Sequence, residues 1–256
     1  MIDLVIDQLS VTIAGQQVCS RLNLHAGNGQ CWGLLGGNGV GKTTLLRCLA
    51  GLLTADHGSV QIDGRPLAGY SRRALATLLG LLPQDTSDPF PATVLETALI
   101  GRHPHLSRWQ WEDHRDYELA RHCLKQLGLE HLEQRPVSSL SGGERRRLAI
   151  ATLLTQQPQI ALLDEPTNHL DLHYQILIMR LLQQYMRENN AMLFMTLHDV
   201  NLAARYCSHL LLLYGDGQTE HGPTASLLTP DRLQRLYHHP ITVVDDGTQR
   251  IYAPAP

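Results

Sequence analysis

Residues 36–43, Gly36-Gly37-Asn38-Gly39-Val40-Gly41-Lys42-Thr43, follow the spacing G-x-x-x-x-G-K-[ST]. Glycines at these places let successive backbone N–H groups turn inward around phosphate oxygens, because no Cβ blocks the approach. Lys42 can then reach the β- and γ-phosphates, and the Thr43 hydroxyl can ligate Mg²⁺. A helix beginning at Lys42 would direct its positive dipole end at the same anion. The chemistry indicated is the binding of a nucleoside triphosphate with Mg²⁺. The loop alone fits a kinase, a GTPase or a recombinase equally well.

Two further groups of residues narrow the choice. Gln159-Ile160-Ala161-Leu162-Leu163-Asp164-Glu165 reads as a buried strand ending in two carboxylates. Side-chain alternation would point them in opposite directions, which suits Asp164 to Mg²⁺ and Glu165 to a water molecule. An isolated Asp-Glu pair would equally be two solvated acids at a strand end, and the phosphate loop is what favours the first reading. In Leu140-Ser141-Gly142-Gly143-Glu144, Ser141 and Glu144 have the spacing of a capping box at a helix start. A helix that opens with two glycines also offers N–H groups to an anion.

These residues need elements to hold them. Cys31–Leu35 is a continuous apolar run, followed by the glycine loop and by helical character over Lys42–Leu49, ending at Gly51. Gln159–Leu163 and Met192–Thr196 are apolar runs that each follow a helical segment, as a buried parallel sheet requires, and Leu210–Tyr214 adds another strand. Leu4–Leu24 alternates loosely about a turn at Ala14-Gly15-Gln16-Gln17. Ser59–Ile62 runs into the hairpin dipeptide Asp63-Gly64, which predicts one antiparallel layer built from both pairs. Val94–Thr155 lacks strand runs and reads as helices, with Leu119, Cys123, Leu124 and Leu127 on one face. Turn signals at Gly215-Asp216-Gly217 and Asp245-Asp246-Gly247 flank a helix-like segment over Pro230–Tyr237.

Composition removes several classes of function. With 24 acidic against 21 basic residues and a net charge of -3, the chain has no global footprint for a nucleic-acid backbone. No apolar run approaches the roughly 18–20 residues needed to span a bilayer. The segment Met1-Ile2-Asp3-Leu4 does not read as a secretory signal, so a cytoplasmic location is expected. The five cysteines are far apart and never in a C-x-x-C pair, which predicts reduced packing residues.

Taken in order, the motifs resemble the ATP-binding cassette (ABC) ATPases, whose signature is the pentapeptide found at Leu140–Glu144. The resemblance covers nearly the whole chain. It implies an α/β fold over residues 1–256: a P-loop NTPase core with a mostly parallel sheet, an N-terminal antiparallel β subdomain, and a helical insertion subdomain at approximately 88–155. It implies that Gly36 through Thr43, with Thr44, hold ATP, and that Ser141, Gly142 and Gly143 meet the γ-phosphate of an ATP held by a partner subunit. Gln84, closing Leu81-Leu82-Pro83-Gln84, is similar to the Q-loop glutamine that contacts Mg²⁺ and the attacking water and couples the site to the permease. Asn168-His169-Leu170-Asp171 resembles the D-loop, which places Asp171 at the nucleotide. His198 in Thr196-Leu197-His198-Asp199 resembles the switch histidine. Catalysis would then fall to Glu165, His198, Gln84 and Lys42, with Mg²⁺ on Thr43, Gln84 and Asp164. One position departs from the family: Ile13 stands where an aromatic residue usually stacks on adenine, so weaker base selectivity is expected.

The same resemblance implies a head-to-tail homodimer peripheral to the cytoplasmic face of the cell (inner) membrane. Integral permease subunits and an extracytoplasmic substrate-binding protein would complete it, with no nucleic acid involved. The pattern G-R-x-P at Gly101–Pro104, with Asn168–Leu172 and Leu197–Tyr206, resembles ATPases of iron-siderophore, haem and cobalamin importers. Soluble ABC ATPases acting on ribosomes or DNA, and exporter ATPases, are the other classes that share the signature. His103 and His105 lack a third metal ligand nearby in sequence, so a turn or a permease contact is the expected role. Trp109 and Trp111 suit a permease contact or a cover for the helical insertion. Arg145-Arg146-Arg147 reads as a solvated helix face.

Overall fold

The structure is a computed structural model that describes residues 2–84, 91–245, 247 and 250–255. Two compact units are present: Met1–Gly69 with Met192–Pro256, and Tyr70–Ala191. In the first, strands β1 (Asp3–Ile13) and β2 (Gln16–Gly27) pair antiparallel about Ala14-Gly15, a tighter turn than the sequence indicated. β3 (Cys31–Leu35) is buried throughout, and α1 (Lys42–Leu49) follows the glycine loop. The end of α1 is closed by two bonds, Gly51 N–H to Cys48 O and Leu52 N–H to Arg47 O, the pairing of a Schellman cap. β4 (His57–Ile62) and β5 (Arg65–Pro66) turn at Asp63-Gly64, and the antiparallel sheet runs β2-β1-β4-β5 as expected.

The second unit opens with α2 (Arg72–Leu78), capped by Ser71, and β6 (Leu79–Leu82). Helices α3 (Val94–Leu99), α4 (His114–Gln126) and α5 (Gly142–Gln156) follow. β7 (Ile160–Leu163) then pairs parallel with β6, and α6 (Leu172–Asn189) closes the unit. Among the described residues of the expected insertion, 91–155 holds helical elements and one isolated bridge, Thr93 to Pro136. Residues 88–90 of that insertion lie outside the described residues. Cys123, Leu124 and Leu127 are buried on the inner side of α4 as their spacing predicts, with Leu119 half-buried. In α5, Leu148, Ile150, Ala151, Leu153 and Leu154 are all buried, so apolar residues surround the helix instead of lining one face.

The chain then returns to the first unit. β8 (Met192–Thr196) and β9 (His209–Leu213) flank β3, both parallel to it, with α7 (Val200–Tyr206) between them in sequence. The Gly215-Asp216-Gly217 turn brings β10 (Thr219–Pro223) back antiparallel to β9, a strand the sequence did not reveal. After α8 (Thr224–Leu227) and the expected helix α9 (Pro230–Tyr237), β11 (Ile241–Asp245) and β12 (Arg250–Pro254) form a two-stranded hairpin. Asp246 of the expected turn lies outside the described residues. All five cysteines are buried thiols. Burial pushes the Cys19 thiol up to about 12 and the Cys48 thiol up to about 11, so both stay protonated.

Candidate active site

In the first unit, candidate residues gather at the C-terminal ends of the parallel strands, where open α/β sheets bind ligands. β3 ends at Leu35 and releases the chain into the glycine loop. Gly41 closes that loop at φ +99, and a Cβ there would lie 2.5 Å from a methyl carbon of Val18, so glycine is required twice over. α1 starts at Lys42 with no side-chain cap on its first turn. A helix N-terminus not closed by a side-chain cap is the setting in which backbone N–H groups can meet an anion. Lys42 is 7% exposed, and its Nζ donates to the carbonyls of Gly36 and Gly37 at 2.9 Å each. Thr43 and Thr44 are half-buried in the same turn. Leu197 N–H still reaches Leu34 O, so His198 emerges beside the end of β3 and is exposed. Asp199 fixes the next step by accepting from the N–H groups of Asn201 and Leu202, which starts α7.

In the second unit, the two adjacent carboxylate residues have different backbone settings. β7 ends at Leu163, yet Asp164 N–H continues the ladder to Leu82 O at 2.9 Å, and the residue is 3% exposed. Glu165 breaks away in the left-handed region at φ +50. That conformation is costly for a residue with a Cβ, and such cost concentrates at functional positions. The Glu165 carboxylate accepts from Asn168 Nδ2, three residues on, at 2.6 Å and from Gln84 Nε2 at 3.4 Å, so Gln84, remote in sequence, meets Glu165 at the oxygen that Asn168 also holds.

The signature segment forms the capping box its spacing predicts. Ser141 Oγ accepts from Glu144 N–H, and the Glu144 carboxylate accepts from Ser141 N–H at 2.8 Å. Bonds from the Ser141 backbone and hydroxyl hold the Glu144 carboxyl below the usual range. Gly142 is exposed and Gly143 half-buried at the helix start, the accessible placement an anion contact requires. Asp171 is the N-cap of α6, accepting from Tyr174 N–H at 2.9 Å, a structural duty that the D-loop likeness did not anticipate.

The arginine run is a correction. Arg146 and Arg147 are each 7% exposed and serve as interior ties, not a solvated face. Arg147 donates to Leu127 O at 2.6 Å and lies 4.0 Å over the Tyr174 ring. Arg146 donates to the carbonyls of Pro83, Gln84, Asp164 and Glu165. The available signal was the even spread of apolar residues around α5, because a helix buried on all sides must take its polar residues inside with it.

Gly101 and Arg102, read as a family pattern, are packing devices. A Cβ on Gly101 would meet Thr152 O at 2.3 Å, so α5 approaches only because the residue is glycine. Arg102 pairs with Asp116 at 2.7 Å, with the two side chains 15% and 10% exposed. Burial raises the Asp116 carboxyl pKa, but the bond from Arg102 and the Asp113 N–H outweigh it and leave the group below its ordinary value. The pair's stabilisation is thus present above the ordinary carboxylate range and is lost as pH falls through the lowered value. Arg102→Ala leaves a buried carboxylate without its cation and is expected to cost about 3–5 kcal/mol in urea unfolding at neutral pH. A loss under about 1 kcal/mol, the scale of an exposed pair, would refute this.

The His105 ring bonds Gln156 O at 2.8 Å, and His103 lies 3.6 Å from Glu112. Among the described residues no three His, Cys, Asp or Glu side chains are grouped to hold a metal ion. Trp109 and Trp111 are 87% and 86% exposed, so they do not cover the helices of their own unit.

A family profile described as ABC transporter matches residues 19–168. The chain belongs to the ABC transporter family. The ferric enterobactin transport ATP-binding protein FepC of Escherichia coli K12 is 36% identical over 94% of this chain and 89% of its own. The iron(3+)-hydroxamate import ATP-binding protein FhuC of Bacillus subtilis 168 is 31% identical, again over 94% of this chain and 89% of its own. A solved ABC transporter described as of the metal-chelate type, in an inward-facing conformation, matches with a TM-score of 0.85 and 29% identity, covering 100% of this chain and 98% of that one. The α/β fold read from the sequence is therefore the ABC ATPase fold. This subunit binds ATP and is an ATPase of the transport-coupled kind. Among its described residues no helix is long and apolar enough to cross a membrane.

Proposed function

We propose that this ATPase drives uptake of a metal chelate, an iron-siderophore, haem or cobalamin, through a separate membrane permease. It would act as a head-to-tail homodimer on the cytoplasmic face of the cell (inner) membrane, with an extracytoplasmic binding protein delivering the chelate. The observation that carries this reading is the near full-length similarity to subunits named for ferric enterobactin and iron(3+)-hydroxamate transport.

The residues present fit ATP with Mg²⁺: an uncapped first turn on α1, a buried lysine in the glycine loop, and a buried carboxylate at the end of β7. In the proposed mechanism Gly36–Gly41 wrap the phosphates with backbone N–H groups, and Lys42 offsets charge on the β- and γ-phosphates. Thr43, Asp164 and Gln84 would hold Mg²⁺, and Thr44 and Asp171 would complete the nucleotide contacts. When bound, Mg²⁺ neutralises phosphate charge. Glu165 orients the attacking water and takes its proton, while His198 contacts the γ-phosphate. Ser141, Gly142 and Gly143 bind that phosphate from the other copy, so closure of the dimer completes the site and hydrolysis reopens it.

The test is reconstitution with the permease and binding protein in liposomes. ATP hydrolysis should rise when the binding protein carries a ferric siderophore, haem or cobalamin. No stimulation by any of the three would end the substrate assignment. A separate measurement addresses the base: Ile13 is 43% exposed at the end of β1 and offers apolar contact without a π-face. Comparable Kd values for ATP and GTP are expected, and strong preference for ATP would show that another residue supplies the contact.

A further inference from the structure

Arg146 occupies the second turn of α5, five residues after the Ser141 cap, and it is almost fully buried. Its Nη1 donates to Pro83 O at 2.6 Å and to Gln84 O at 3.2 Å. Its Nη2 donates to Asp164 O and, at 2.8 Å, to Glu165 O. These carbonyls lie just past the ends of β6 and β7, where the chain leaves the parallel ladder. One planar guanidinium thus holds the two strand exits together. A lysine could not do this, because it lacks the fork of five fixed donors. Charge-assisted bonds in so buried a place are stiff links.

The two exits carry Gln84 and Glu165, whose side chains meet at 3.4 Å. We infer that Arg146 is a positioning residue for hydrolysis: it sets Gln84 and Glu165 relative to one another and ties both to the signature helix. That helix opens with the Ser141 cap and Gly142-Gly143, so a displacement of α5 is carried by the guanidinium to the backbone of the water-handling carboxylate. Glu165 has left-handed φ and bends sharply away from the strand, so its side-chain direction depends on how its own carbonyl is held. The inference rests on the proposed roles of Gln84 and Glu165.

The experiment measures ATP turnover and ATP affinity in the assembled transporter for Arg146→Gln and Arg146→Lys, alone and combined with Glu165→Gln. Arg146→Lys keeps the positive charge in the buried site and loses only the fork, which separates positioning from folding. Each single Arg146 variant should lower kcat by about tenfold or more with ATP Kd within about twofold, since Lys42 and its loop are untouched. In the Glu165→Gln background the same change should lower kcat by less than about twofold, because a residue that acts through Glu165 has little left to position. An equal loss in both backgrounds would reduce Arg146 to a structural tie and overturn the inference. So would near-normal kcat in the Arg146 variants beside a crippled Glu165→Gln enzyme. Near-normal turnover of Glu165→Gln itself would remove the reading of Glu165 and the inference with it.

Discussion

Glu165→Gln is expected to lower ATP turnover by about 10²-fold or more while leaving ATP affinity close to that of the unchanged protein, because it removes a general base and little else. The substitution is nearly isosteric. A glutamine amide oxygen can still accept the 2.6 Å bond from Asn168, and the backbone at φ +50 suits glutamine as well as it suits glutamate. What is lost is the carboxylate that orients water and takes its proton. Affinity survives because the phosphate-binding groups, Lys42 and the glycine loop, belong to other elements. ATP titration by fluorescence and single-turnover hydrolysis measure the two quantities separately. Turnover near the unchanged rate would take Glu165 out of the base role.

Lys42→Ala should behave differently, weakening ATP binding and hydrolysis together. The Lys42 ammonium is 7% exposed and held by two carbonyls of its own loop. Its charge is therefore placed before nucleotide arrives, and it acts on the ground state as well as on the transition state. Its removal also frees the Gly36 and Gly37 carbonyls from a charged donor, which loosens the loop that must wrap the phosphates. A rise in Kd of about tenfold or more is expected, with a further fall in kcat, the pattern of an interaction present at both stages. Unchanged Kd with lost kcat would confine Lys42 to the transition state. The contrast with Glu165→Gln distinguishes a group that binds from one that reacts.

The features read correctly from the sequence are those whose cause is local. The Gly36–Thr43 loop, the strand before it and the helix after it follow from glycine stereochemistry and apolar runs within about twenty residues. The Ser141–Glu144 capping box closes within a single turn, so its spacing already contains its hydrogen bonds. The Asp63-Gly64 turn and the Pro230 start of α9 are likewise set by the φ preferences of individual residues. The family resemblance rests on the order of the phosphate-handling motifs, since the loop alone fits several families.

The failures share a cause. Three successive arginines predict a solvated face because charge ordinarily seeks water, yet Arg146 and Arg147 lie inside. Their burial is stabilised by carbonyls at positions 83, 84, 127, 164 and 165, none of which a local reading connects to the helix. Asp164 still belongs to the ladder, but the left-handed backbone of Glu165 is set by its place after the strand, which the apolar run before it does not encode. Gly101 and Arg102 carried a family likeness in the sequence, but only the approach of α5 and the carboxylate of Asp116 explain why those two residues stand there. By itself the sequence determined the phosphate loop, the signature cap and the family, because short-range sterics and hydrogen bonds encode them. Only tertiary structure decided what holds Gln84 and Glu165 in place, because that depends on one buried guanidinium reaching strand ends about sixty and twenty residues away in opposite directions along the chain.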